Sequence, residues 1–188
     1  MSGLLSLHEA MNANLQTFPS LNPQHLELGV IEQKLGQRYY QSILYRGQTL
    51  RLQTPAVHLT SLTYDYYYSG VAILIPISNW VRQQFDILDD FVRDKAVVPD
   101  TLSSNTDHMY KPLQSGKEIY LLLDDACTIT RETKDDIIDL ITPPLLEEGS
   151  YSFAIDFSHV YYGYHMHGYK YSLNYRIKHI HFKPDVVE

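Results

Sequence analysis

A mainly β domain, closed as a small barrel with one packed amphipathic helix and preceded by an N-terminal arm, is the fold this sequence predicts. Three observations carry that expectation. Strand-forming stretches with two-residue alternation recur from residue 37 onward. One stretch alone has clear helical periodicity. Tyrosine, a strand former with a polar tip, occurs sixteen times in 188 residues. The length fits one domain, and a 44% hydrophobic share can fill its core. The chain divides into an arm, 1–25, and a single β domain, 26–188.

In the arm, Leu4, Leu5, Leu7, Met11 and Leu15 can line one side of a short helix that Pro19 and Pro23 end. A cap packed on the domain is the first reading, and an exchange arm for homo-oligomer formation is the second. Residues 37–54 read as a hairpin turning at Arg46-Gly47. In its second strand Leu50 and Leu52 face one way, while Thr49, Arg51 and Gln53 face the other. Pro55 has no N–H to donate and ends the pairing. Tyr64, Tyr66 and Tyr68 share one face of the next strand. The apolar run Val71 to Ile77 reads as a central strand buried on both faces.

Residues 79–96 are the helix. Ser78 or Asn79 caps it, and Val81, Phe85, Leu88 and Val92 form its apolar stripe. Asp86, Asp89, Asp90 and Asp94 lie mainly off that stripe. Residues 100–116 read as a loop and Glu118 to Leu123 as a short strand. Residues 124–150 are acidic and less regular, with Pro143-Pro144 and Glu147-Glu148-Gly149 as punctuation. Beyond them Tyr151, Phe153, Ile155 and Phe157 alternate with polar or small residues. The final strand puts Tyr169, Tyr171, Leu173, Tyr175 and Ile177 on one face, and Lys170, Ser172, Asn174, Arg176 and Lys178 on the other. The apolar phase then slips by one, to Ile180 and Phe182, which predicts a β-bulge. This order suits an OB-like barrel, with a sandwich as the alternative.

Composition narrows the function. Cys127 is the one cysteine, so there is no internal disulfide and no CxxC pair, and a reducing, intracellular compartment is expected. The N-terminus lacks the basic start of a signal peptide, and no run reaches the length of a membrane span. The net charge of −7 opposes nucleic-acid binding, but the excess acid is local. Residues 84–150 hold fifteen Asp/Glu against six Lys/Arg, whereas the flanking thirds are near neutral.

Chemistry enters through three constellations. Cations interleave with tyrosines at Arg38-Tyr39, Tyr45-Arg46, Tyr169-Lys170 and Tyr175-Arg176. Single strands need this mixture, since cations follow phosphates and rings stack on bases. The alternative is that the rings fill a core while the cations meet water. The pairs His165/His167 and His179/His181 could chelate a metal with His159 or Asp156, but half-exposed strand histidines are the simpler reading. The doublets Asp89-Asp90, Asp124-Asp125 and Asp135-Asp136 read as solvated surface rather than a two-metal site. Nucleotide-loop and hydrolase motifs are absent from the sequence, so no enzyme and no cofactor are expected, and Cys127 reads as a buried thiol.

Leu50-Arg51-Leu52-Gln53-Thr54-Pro55, the stretch Phe85 to Val92 and the closing Tyr169 to Ile177 together resemble the single-stranded-DNA-binding proteins of large double-stranded DNA viruses. The resemblance implies an OB-fold core. It also implies sequence-tolerant coating of unpaired strands in viral DNA replication, in host cytoplasm or nucleus, without catalytic residues. The expected single-strand-binding set is Arg38, Tyr39, Tyr45, Arg46, Arg51, Tyr66, Tyr68, Tyr164, Tyr169, Lys170, Arg176 and Lys178. The alternatives are a structural or protein-interaction module of a viral or replication assembly, and a His-ligated metal protein.

Overall fold

A computed structural model describes residues 20–67, 70–102, 110–113, 117–140, 147–163 and 170–185. Among these residues, eleven strands form one mixed sheet whose main path joins eight of them. The path runs through β1 (Leu26–Gln33), β2 (Tyr39–Tyr45), β3 (Gln48–Gln53), β10 (Gly149–Tyr162), β11 (Tyr171–Pro184), β8 (Glu118–Glu132), β6 (Gly70–Pro76) and β5 (Thr63–Tyr67). Three short strands hang from it. β4 (Val57–Leu59) pairs with β10, β7 (Tyr110–Lys111) with β11, and β9 (Ile137–Leu140) with β8.

The sheet is open, which corrects the expected barrel. Its end strands, β1 and β5, do not pair with each other among the described residues. The reason lies in how the long strands share partners. β10 pairs with β11 along its length, while its other edge is divided among β4, β3 and β2. The first part of β8 pairs antiparallel with β6, and its later part runs parallel to β11. Each long strand therefore extends the sheet sideways rather than rolling it onto its own first strand.

Local chemistry explains the elements. Arg46 and Gly47 both have positive φ, at 52° and 73°, so a two-residue turn joins β2 to β3. The hairpin is short: Leu44 faces Thr49 and Tyr45 faces Gln48, after which both strands pass to β10. Leu50 and Leu52 are buried as their alternation predicts. β11 carries the predicted bulge, since its register with both neighbours shifts between Ile177 and His179. That extra residue returns Ile180 and Phe182 to the core, both at 0% exposure.

The helix, α1, runs Asn79–Lys95, and the Ser78 hydroxyl accepts from the Val81 amide at its start. Val81, Phe85, Leu88 and Val92 are buried. Phe85 packs edge-on against Phe157 of β10 at 5.9 Å, and lies 6.3 Å from Tyr175 of β11. The helix therefore covers the two central strands. Its N-terminal half also receives the last part of the arm, where the Leu21 amide donates to Gln84 Oε1 at 2.7 Å. The predicted arm helix lies outside the described residues.

Two expectations fail here for local reasons. Residues 124–140 are mostly strand, because β8 runs on through Asp124-Asp125 to Glu132 and β9 returns against it. The acidic pair sits where the β8–β11 register jumps, between Leu123 and Thr128. Asp89 is not solvated surface. It is 6% exposed and accepts from the Tyr110 hydroxyl at 2.6 Å and from the Leu113 amide at 3.1 Å to each oxygen.

Candidate metal centre

Three strand ends meet at one corner of the sheet. β4 brings His58, the residue before β10 is Glu148, and the residue after β11 is Asp185. The pairing puts them together, since Ser150 faces His58, Gly149 faces Leu59 and Gly149 faces Pro184. Gly149 is what permits so close a meeting. A Cβ there would lie 2.4 Å from the Lys183 carbonyl oxygen, 2.7 Å from the Phe182 ring and 2.9 Å from Pro184 Cα.

His58 Nε2 is 2.7 Å from Asp185 Oδ2 and 4.0 Å from Glu148 Oε1. One ligand atom from each residue lies within 4.8 Å of the others, and all three residues are exposed. The hydrogen bond to Asp185 raises the His58 pKa above the usual imidazole value, and the charges of Asp185 and Glu148 add to this. Neighbouring acids are engaged elsewhere. Arg131 donates to Glu147 at 2.5 Å, and Lys183 to Glu132 at 2.6 Å. Two carboxylates are thus left facing one imidazole.

This donor set fits a divalent ion. Imidazole nitrogen and carboxylate oxygen bind zinc at about 2.0–2.2 Å, so donors around a tetrahedral ion sit roughly 3.3–3.5 Å apart. The His58–Asp185 pair must open by about 0.6 Å and the His58–Glu148 pair must close by about as much to reach that spacing. Exposed side chains make such shifts by small rotamer changes. Sequence reasoning missed this trio. His58 stands in no motif, and Glu147-Glu148-Gly149 is legible only as punctuation. The close-approach glycine beside Glu148 is the one local signal that could have found it.

The histidine pairs are placed differently. His165 and His167 lie outside the described residues. His179 and His181 do share a face of β11, but threonines of β8 hold them. Thr128 Oγ1 is 2.8 Å from His179 Nδ1, and Thr130 Oγ1 is 3.1 Å from His179 Nε2 and 3.0 Å from His181 Nδ1. Burial, with His181 adding to it, pushes the His179 pKa down to about 4, so that ring is neutral at pH 7. His159 lies against Tyr40 and within 3.2 Å of Asn174 Nδ2. Cys127 is half-buried, and burial pushes its thiol up to about 11.

Nine of the twelve expected single-strand-binding residues fall among the described residues. Tyr39 is in the core at 9% exposure. Tyr45 is partly buried, with the Arg46 guanidinium 5.6 Å from its ring centre. Arg51 forms a two-pronged pair with Asp156, at 2.5 and 3.0 Å. Lys170 donates to the Leu102 carbonyl, Arg176 to the Leu123 carbonyl, and Lys178 pairs with Asp124 at 2.7 Å. Arg38 is exposed beside β2 and Tyr66 lies in β5. Tyr68, Tyr164 and Tyr169 lie outside the described residues.

No protein-family model, curated protein or solved structure matches the chain significantly. The resemblance to viral single-stranded-DNA-binding proteins is therefore corrected. It implied an OB barrel, and the sheet is open. The DNA-coating function expected from it falls with the barrel, because among the described residues no closed-barrel groove gathers the rings and cations of β2, β3 and β11.

Proposed function

We propose that this protein is a divalent-metal-binding domain, with His58, Glu148 and Asp185 as the ligands and zinc as the first ion to test. The observation that carries the reading is the convergence of an imidazole nitrogen and two carboxylate oxygens from three chain segments on one point. Mixed nitrogen and oxygen donors suit zinc and neighbouring transition ions better than magnesium or calcium, which favour all-oxygen shells. The role is binding rather than catalysis. The side chains of His58, Glu148 and Asp185 are 51%, 59% and 46% exposed, so the corner offers an ion but no enclosing wall for a substrate.

Calorimetric titration of metal-stripped, untagged protein with zinc tests this. One equivalent should bind, and His58→Ala, Glu148→Gln and Asp185→Asn should each weaken binding by at least about tenfold. Zinc binding that survives all three substitutions would refute the assignment.

One observation favours a second role, as a protein-interaction module. Val30 and Leu35 are 83% and 85% exposed, on and just beyond the end strand β1. Sedimentation of wild type beside Val30→Asp and Leu35→Asp tests it. Self-association lost in both variants supports this role, and a monomer throughout removes self-association from it.

A further inference from the structure

β4 is three residues long, and its ladder is to Gly149, Ser150 and Tyr151 of β10 alone. At the same place the ladder between β10 and β11 runs out, and its last backbone bond, from the Asp185 amide to the Glu148 carbonyl, is 3.4 Å long. Bonds of that length are at the weak end of the range. The three side chains thus converge where one ladder is three pairs long and the other reaches its end. In sequence those side chains are far apart, with Asp185 lying 127 residues from His58. Glu148 and Asp185 lie on either side of one imidazole, whose 2.7 Å pair with Asp185 offsets at most one of the two carboxylate charges.

We infer that the ion, on the metal-binding reading above, serves as a clamp that locks β4 and the end of β11 onto the start of β10. A divalent ion cancels the two carboxylate charges. It also replaces a weak backbone closure by three ligand bonds that join segments distant in the chain. Gly149 is the positioning residue of this clamp, because it lets the segments approach closely enough for their side chains to share an ion. The ion's work is local, and the β5–β6 end of the sheet does not depend on it.

Backbone amide hydrogen exchange of the full-length protein, with saturating zinc and after chelation, tests the clamp. Zinc binding is measured by calorimetry in the same buffer. Amides of residues 57–59, 149–151 and 183–185 should exchange at least about tenfold more slowly with zinc. Those of residues 63–67 and 70–76 should be unchanged, and Asp185→Asn should remove the protection. Zinc that binds without slowing exchange at the corner, or that slows all amides equally, overturns the clamp while leaving the metal site standing. Absence of zinc binding overturns the metal site and the clamp with it. A second variant, Gly149→Ala, keeps all three ligands. It should lose zinc affinity while the exchange of residues 63–67 and 70–76 stays as in wild type, and unaltered affinity would overturn the positioning role.

Discussion

Asp89 and Asp185 both gather groups from distant parts of the chain, and they do opposite things with them. Asp89 is buried on α1, and what reaches it are donors, the Tyr110 hydroxyl and the Leu113 amide. Burial pushes its pKa up to about 6, against the pull of those two hydrogen bonds and of Arg93. Asp86 raises it slightly. Asp185 is exposed, and what reaches it are an imidazole and a second carboxylate. The first cluster is complete within the protein and fastens α1 to residues 110–113. The second sets two carboxylates against one imidazole, and on the proposed reading a cation completes it. The kind of groups that converge, rather than their number, separates a structural lock from a binding site.

Disruption near the buried cluster should have the largest effect. Phe85 lies one turn before Asp89 on the same covered face of α1, at 1% exposure. Phe85→Ala should cost about 4 kcal/mol in urea unfolding, from lost burial and the cavity left behind. If the two clusters are independent, zinc affinity at the corner should survive in the fraction that remains folded.

The pH dependence of stability comes next. The folded protein holds the Asp89 proton more tightly than the unfolded chain, whose carboxyl titrates near 3.8. The stabilisation from the protonated form is therefore complete below 3.8 and is lost as pH rises through about 6. The stability of wild type relative to Asp89→Asn should fall by on the order of 3 kcal/mol across that window. A flat difference would mean that Asp89 is better solvated than its packing shows. Asp89→Ala strands the Tyr110 hydroxyl and the Leu113 amide without their acceptor, and should cost about 2 kcal/mol at pH 7. That loss should widen towards pH 4, where the wild type gains.

The smallest effect on stability belongs to the corner without metal. His58→Ala should leave the thermal midpoint of the chelated protein unchanged, since an exposed ion pair contributes little in water. The same substitution should abolish any rise in midpoint with zinc, as scanning calorimetry would show.

The sequence made the helix legible, because Val81, Phe85, Leu88 and Val92 repeat at helical spacing and all four are buried. It made β10 and β11 legible by alternation, and the slip before Ile180 gave the bulge. It hid the extension of β8, because Asp124-Asp125 interrupts the apolar pattern at a register jump that its partner strand absorbs. Openness was hidden too, since alternation marks a strand without naming its neighbour. Asp89 lies one position beyond Leu88, and its burial is set by Tyr110 and Leu113 on a segment that periodicity does not place. The corner was the least legible feature. His58, Glu148 and Asp185 meet through strand pairing over long separations, and no local spacing encodes that.

Imidazole nitrogen NMR during a zinc titration addresses the metal site most directly, because it reads each histidine separately. The His58 Nε2 signal should move and saturate at one equivalent, while those of His179 and His181 on the β8–β11 face stay in place. A His58 signal that does not respond, or a first response at His179 and His181, would contradict the assignment.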